Sequence, residues 1–187
     1  MHTALKQRID MMRDKIDRCA SRIEVPGSSQ LFVTPDDICS RLVSLADVQE
    51  NHVILEPNAG TGAILRAIRT AAPAARCEAV EINAQLCLNL QNEFEGATVV
   101  CSDFLQFRAN SYDRIVMNPP FNHGADIKHI LHARSLLKSD GVLTAICLNG
   151  PRQNGTLQPL ADHWEPLPRG TFAYTEVSTV LLRIAAG

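Results

Sequence analysis

The chain has 187 residues, 45% of them apolar, enough for one domain with a full core and too short for two ordinary ones. Lys and Arg number 18 against 20 Asp and Glu, and this formal net charge of -2 excludes a uniformly basic surface that would hold nucleic acid by counterion displacement alone. Net charge averages over the surface, so a local basic strip stays open.

From Leu5 the apolar positions Leu5, Ile9, Met12, Ile16, Cys19 and Ile23 advance in steps of 4, 3, 4, 3 and 4, which is one face of an amphipathic helix. This predicts an N-terminal helical segment over 1–27 and a main domain over 28–187. The face suits packing on the domain, on a twin copy or on a partner subunit, and its basic residues would also suit a nucleic-acid clamp. Pro26-Gly27-Ser28-Ser29 closes it. Thr34-Pro35-Asp36-Asp37 then reads as a helix start, with Thr34 as N-cap, Pro35 at the first helical position, the acids in the first turn and Ile38, Leu42, Val43, Leu45 and Ala46 as the buried face.

HVILEP is a short apolar run of the buried-strand kind, and NAGTGAILRAIRTAA after it is a glycine-bearing loop that runs into a helix. The alternation repeats: RCEAVEI as strand, AQLCLNLQNEF as helix, ATVVCSD and YDRIVMN as strands, ADIKHILHARSLLK as helix, and GVLTAICLN as a strand opened by Gly141. Such alternation predicts an α/β fold with a mostly parallel twisted sheet and helices on both faces, Rossmann-like. After a loop, PRQNGTLQP, the segments RGTFAY and EVSTVLLRIA are expected to pair as a C-terminal antiparallel hairpin.

Six cysteines, Cys19, Cys39, Cys77, Cys87, Cys101 and Cys147, form no C-x-x-C pair and no Cys/His cluster, so reduced thiols and no metal site are expected. The opening MHTALKQRID carries alternating charge where a secretory signal needs an apolar run, and no segment approaches the roughly 20 apolar residues of a membrane span. The expectation is a cytoplasmic protein without a membrane partner.

Three strand ends carry acids. Glu56 stands just before the loop Asn58-Ala59-Gly60-Thr61-Gly62, where small residues let backbone approach a ligand; the third glycine of a dinucleotide loop is replaced by Leu65, so a pyrophosphate is disfavoured. A carboxylate at that place favours a cationic ligand, the alternative being a local backbone cap. Glu81, 19 residues after Gly62 and followed by Ile82, can accept from ribose hydroxyls. Asp103 can accept from an adenine amino group while Phe104 covers the ring. The fourth strand runs into Asn118-Pro119-Pro120-Phe121, whose two prolines remove two backbone donors and fix the exit path. An Asn oxygen beside a bare proline carbonyl offers two acceptors without positive charge, suited to an NH2 group, and an exposed Phe121 would stack on a flat base or amide. The plainer alternative is a turn with Phe121 in the core.

These residues resemble the class I S-adenosylmethionine-dependent methyltransferases, and within them the amino-methyltransferases with a (Asp/Asn/Ser)-Pro-Pro-(Tyr/Phe) tetrapeptide. The resemblance covers roughly residues 30 to 184. It implies S-adenosyl-L-methionine as cofactor, held by Phe32, Thr34, Pro35, Glu56, Asn58, Ala59, Gly60, Gly62, Glu81, Ile82, Asp103, Phe104 and Asn118, with Asn118, Pro119, Pro120 and Phe121 as the catalytic segment. The order of motifs is that of the gamma group of DNA adenine-N6 methyltransferases, which implies base flipping and direct in-line transfer, with DNA ahead of RNA as substrate. That group usually carries a recognition region beyond the last motif, so the N-terminal helix, a second copy or a partner subunit is expected to supply recognition. The same tetrapeptide also serves enzymes acting on guanine N2 or adenine N6 in RNA and on protein glutamine; a cofactor-binding subunit of a heteromeric enzyme is the non-catalytic alternative. His123 is a candidate second pocket residue, against the commoner role of a surface loop histidine.

Overall fold

The computed structural model describes residues 33–109, 111–172 and 177–186; the helix expected over 1–27 and Phe32 lie outside them. In chain order the elements are α1 (Asp36–Leu45), β1 (Val53–Pro57), α2 (Ala63–Ala71), β2 (Arg76–Glu81), α3 (Ala84–Glu93), β3 (Thr98–Cys101), β4 (Tyr112–Met117), α4 (Ala125–Ser135), β5 (Leu137–Leu148), α5 (Pro151–Thr156), β6 (His163–Pro166) and β7 (Thr179–Ala185). The strands form one seven-stranded sheet in the order β3-β2-β1-β4-β5-β7-β6. Pairings from β3 to β5 are parallel, whereas β7 runs antiparallel to both β5 and β6. None of the described helices is long and apolar enough to cross a membrane.

Strand residues alternate between two cores, as the two-residue period of a strand requires. Ile54, Val116, Ile146 and Leu181 face α1 and α2, packing with Ile38, Leu42, Ile64, Leu65 and Ile68. Their neighbours Leu55, Ile115, Met117, Leu143 and Cys147 face the other way, onto Ile130, Ala133 and Leu136 around α4. Both faces of the central strands are therefore buried, which is why they read as continuous apolar runs; each such side chain stabilises the fold by about 1.5–3 kcal/mol.

The tail departs from expectation. β7 finds its antiparallel partner in His163–Pro166, not in RGTFAY: Leu182 lies opposite Trp164, and Leu167 N–H still donates to Thr179 O at 2.9 Å. RGTF instead turns at Gly170, whose φ is 78°, and drops Phe172 into the α1–α2 core. PRQNGTLQP is no loop either, since it contains α5 and a 3-10 turn over Gln158–Leu160. β5 begins ahead of Gly141, at Leu137, and shifts register against β4 between Tyr112 and Arg114. A Cβ at Gly141 would lie 2.9 Å from Tyr112 O, so the irregular register needs a glycine there.

Gly62 carries the tightest backbone approach. It enters α2 at φ 81°, and an added Cβ would meet the Phe94 ring at 2.6 Å and Leu90 at 2.8 Å. Gly62→Ala combines overpacking with left-handed strain and is expected to destabilise the domain by about 2–4 kcal/mol in urea unfolding. An unchanged midpoint would contradict this packing.

Candidate active site

Strand order reverses between β1 and β4, since the chain runs from β1 outward to β2 and β3 before returning to β4 on the other side. Crevices at such reversals, beyond the carboxyl ends of the strands, are where open α/β sheets bind ligands. Here they bring the β1–α2 loop and the Asn118 segment side by side.

The loop is stitched to β2 on its far side. Asn58, at φ 118°, and Ala59 both donate their N–H to Val80 O, at 2.9 and 3.1 Å. Glu81 extends this with its side chain: Oε2 accepts from Gly60 N at 2.8 Å and Oε1 from Asn83 N at 2.8 Å. The acid read as a ribose acceptor is thus also the strut of the glycine loop, and each oxygen keeps a lone pair for a further donor. Asn83 caps α3 by accepting from Gln85 N and Leu86 N. Ile82 stands 64% exposed beside the crevice. Asp103 lies at the end of β3 and accepts from Leu105 N at 2.9 Å.

Phe104 is not an open ring face. It is 2% exposed, with centroids 4.8 Å from His132, 5.7 Å from His129 and 6.3 Å from Phe107. The apolar ring gains more by closing the α4 core than by standing in water.

Glu56 is 2% exposed, and its Oε2 has no hydrogen-bond partner among the described residues. Burial pushes its carboxyl well above the usual carboxylate range; the Leu65 backbone amide and Arg66 oppose this, and Glu81 adds to it. Arg66 is itself occupied elsewhere, paired with Glu93, bonded to Thr61 O at 3.0 Å and 6.0 Å from the centre of the Phe94 ring. A buried acid with an idle oxygen is costly to the isolated fold and marks a place for a cationic group.

Thr34 has a different task from the one its sequence position suggests. The cap position of α1 is Pro35, with no side-chain cap bond. Thr34, 5% exposed, instead accepts at Oγ1 from Asn118 Nδ2 at 3.0 Å. That bond fixes which way the amide points and leaves Asn118 Oδ1 as a buried acceptor with no partner among the described residues. Pro119 and Pro120 carry the chain off the sheet, and Phe121, 7% exposed, packs in the cluster of Val116, Ile146 and Leu181. Its expected exposure for stacking is therefore corrected: burying the ring anchors the tetrapeptide from below.

Three side chains behind the segment had no motif to announce them. His129, on α4, places Nδ1 3.1 Å from Asn58 Oδ1, tying the helix after the tetrapeptide to the cofactor-side loop. Burial is the main cause holding its pKa below the usual histidine value. Asp126, fully buried, accepts from Leu148 N at 3.0 Å and from Gln153 Nε2 at 2.9 and 3.1 Å. It thereby locks the end of β5 and α5 against the first turn of α4. Periodicity could have flagged Asp126 and His129 only as polar residues on the inward face of a helix.

The family pattern of the methyltransferase small domain matches residues 34–163, more than half of the chain. The chain is 38% identical over 77 residues to ribosomal RNA small subunit methyltransferase A of Chlorobium phaeobacteroides (strain BS1), which covers 41% of this chain and 29% of that protein. It thus spans less than a third of this curated relative's length. TrmN from Thermus thermophilus superposes with a TM-score of 0.69 at 16% identity, over 81% of this chain and 49% of that one. An RNA methyltransferase from Salinibacter ruber, in complex with S-adenosyl-L-homocysteine, superposes with a TM-score of 0.63 at 16% identity, over 82% and 93%. The chain belongs to the methyltransferase small domain family and has the Rossmann-like fold of a class I S-adenosylmethionine-dependent methyltransferase.

Proposed function

We propose that this chain transfers the methyl group of S-adenosylmethionine to an exocyclic amino group of a nucleic-acid base, adenine N6 foremost. The observation that carries this reading is the Asn118 amide, held by Thr34 with its oxygen buried and unpartnered. An idle acceptor of that kind is costly unless a substrate donor arrives, and an NH2 group is such a donor.

The residues present fit the cofactor. The idle Glu56 oxygen answers its cationic end, Asn58, Ala59, Gly60 and Gly62 let backbone approach closely, Glu81 retains acceptor capacity for ribose hydroxyls, and Ile82 offers apolar surface. Asp103, at the next strand end, suits the base, and by the family resemblance Pro35 and Thr34 would border the methionine side. When bound, S-adenosylmethionine supplies an electrophilic methyl group on a sulfonium. Asn118 Oδ1 and the Pro119 carbonyl accept from the target N–H groups, orient the nitrogen lone pair and stabilise the positive charge that develops on nitrogen. Phe121 holds this pair in place from the core.

Motif order favours DNA, and the curated relative's name favours RNA. Radiolabelled cofactor offered separately with DNA, RNA and a protein extract tests the reading. Label is expected on an amino group of one nucleic acid, and label in protein alone would transfer the reading to the glutamine alternative.

A further inference from the structure

Beyond the tetrapeptide the chain carries exposed cations on α4 and α5, one of them on a rigid mount. Gly124 precedes α4, and the Arg152 guanidinium comes within 4.0 Å of where its Cβ would be. Arg152 is exposed and has no hydrogen-bond or ion-pair partner among the described residues. Its backbone is held all the same, because the adjacent Gln153 is 5% exposed and donates to both oxygens of buried Asp126. Close packing underlies that clamp: a Cβ at Gly150 would lie 3.0 Å from Gln153 Oε1. Lys128, also exposed and without a partner among the described residues, lies in the first turns of α4, four positions after Gly124. His123, exposed at φ 54°, lies in the 3-10 turn Asn122–Gly124 just before α4.

Unpaired cations on the elements that follow the tetrapeptide, one of them against Gly124, are informative in a chain whose net charge is -2. No general basic surface does the work of holding a polyanion, so local cations must. A planar guanidinium matches the oxygens of a phosphodiester in pairs. Taking a base out of a helix costs a few kcal/mol, which contacts to the flanking backbone help to offset.

We infer that Arg152, seconded by Lys128, docks the phosphodiester that flanks the target nucleotide. The inference rests on the nucleic-acid reading above and deepens it, by assigning the contact that holds the strand beside Asn118.

The test uses the full chain and short fluorescein-labelled single-stranded oligonucleotides, one DNA and one RNA, with binding followed by anisotropy across a salt series. Arg152→Ala should make the slope of log affinity against log salt shallower by about 0.7, the value of one phosphate contact on a single strand. Arg152→Glu should weaken binding further, and Arg152→Lys should restore most of the slope because the charge is kept. Cofactor affinity by calorimetry should stay unchanged in all three. Arg76→Ala is the control, being exposed at the opposite, amino-terminal edge of the parallel strands, and should leave the slope as in the wild type. A slope change confined to one oligonucleotide supports the inference and identifies the polymer. If the wild type methylates an oligonucleotide but Arg152→Ala and Arg152→Glu keep its slope, the docking assignment is overturned while the base reading stands. If neither oligonucleotide is bound or methylated and an acidic protein takes the label, both readings fall.

Discussion

Replacing Asn118 with alanine is expected to lower kcat by roughly 100- to 1,000-fold, the usual loss on removing one preorganised group that stabilises transition-state charge. Cofactor affinity should barely move, because the side chain is tied to Thr34 and its unpartnered oxygen is the atom proposed to meet the target. Thr34→Val separates orientation from presence. Valine keeps the volume of a residue that is 5% exposed but removes the acceptor for Asn118 Nδ2, so the amide can turn its donor toward the target. About tenfold loss in kcat is expected, equivalent to one hydrogen bond, with little change in the KM of the target and recovery in Thr34→Ser. The recovery matters, since a merely structural role for Thr34 would show as lower stability in both variants and would not follow the hydroxyl. Full turnover in Asn118→Ala would dispose of the mechanism.

Much of this site is legible in the sequence for one physical reason: open parallel sheets put ligands at strand ends, and strand ends can be read from apolar runs. Glu56, Glu81, Asp103 and Asn118 are found that way, and all four stand at the carboxyl edge of the sheet. What side chains do at those ends is decided by tertiary partners that no spacing reveals. Thr34 has the residue type and the Pro-Asp-Asp context of a helix cap, yet its hydroxyl serves a residue 84 positions away. Phe121 carries the same aromatic chemistry whether it faces water or the core. α5 escaped notice because PRQNGT has poor helix propensity and is held by the burial of Gln153 on Asp126, a long-range contact. The terminal hairpin slipped to an earlier partner because HWEP is short and ends in proline, so its strand character comes from pairing with β7.

Glu56→Gln is expected to improve the fold and impair the site. Burial, with Glu81 adding to it, holds the Glu56 carboxyl well above the ordinary range, so it keeps its proton to higher pH in the cofactor-free fold than in the unfolded chain. The stability associated with that proton is fully present below the ordinary carboxylate pKa and is lost as pH rises toward the elevated folded value. Glutamine is neutral at every pH, and the variant should therefore match the wild type in acid and gain about 1 kcal/mol or more at mildly alkaline pH, read from urea midpoints. Binding should move the other way. A cationic group beside the idle Oε2 favours the carboxylate, so cofactor binding by the wild type should release a proton and tighten as pH rises. Calorimetry in buffers of different ionisation enthalpy reads that proton directly. Glu56→Gln should release none, lose the pH dependence assigned to this group, and bind roughly 10- to 100-fold more weakly, as a lost charge-assisted hydrogen bond implies. Equal affinity in the variant would return Glu56 to the role of a backbone cap held by Leu65. Greater stability together with weaker binding would establish that this acid is kept at the fold's expense for the sake of its ligand.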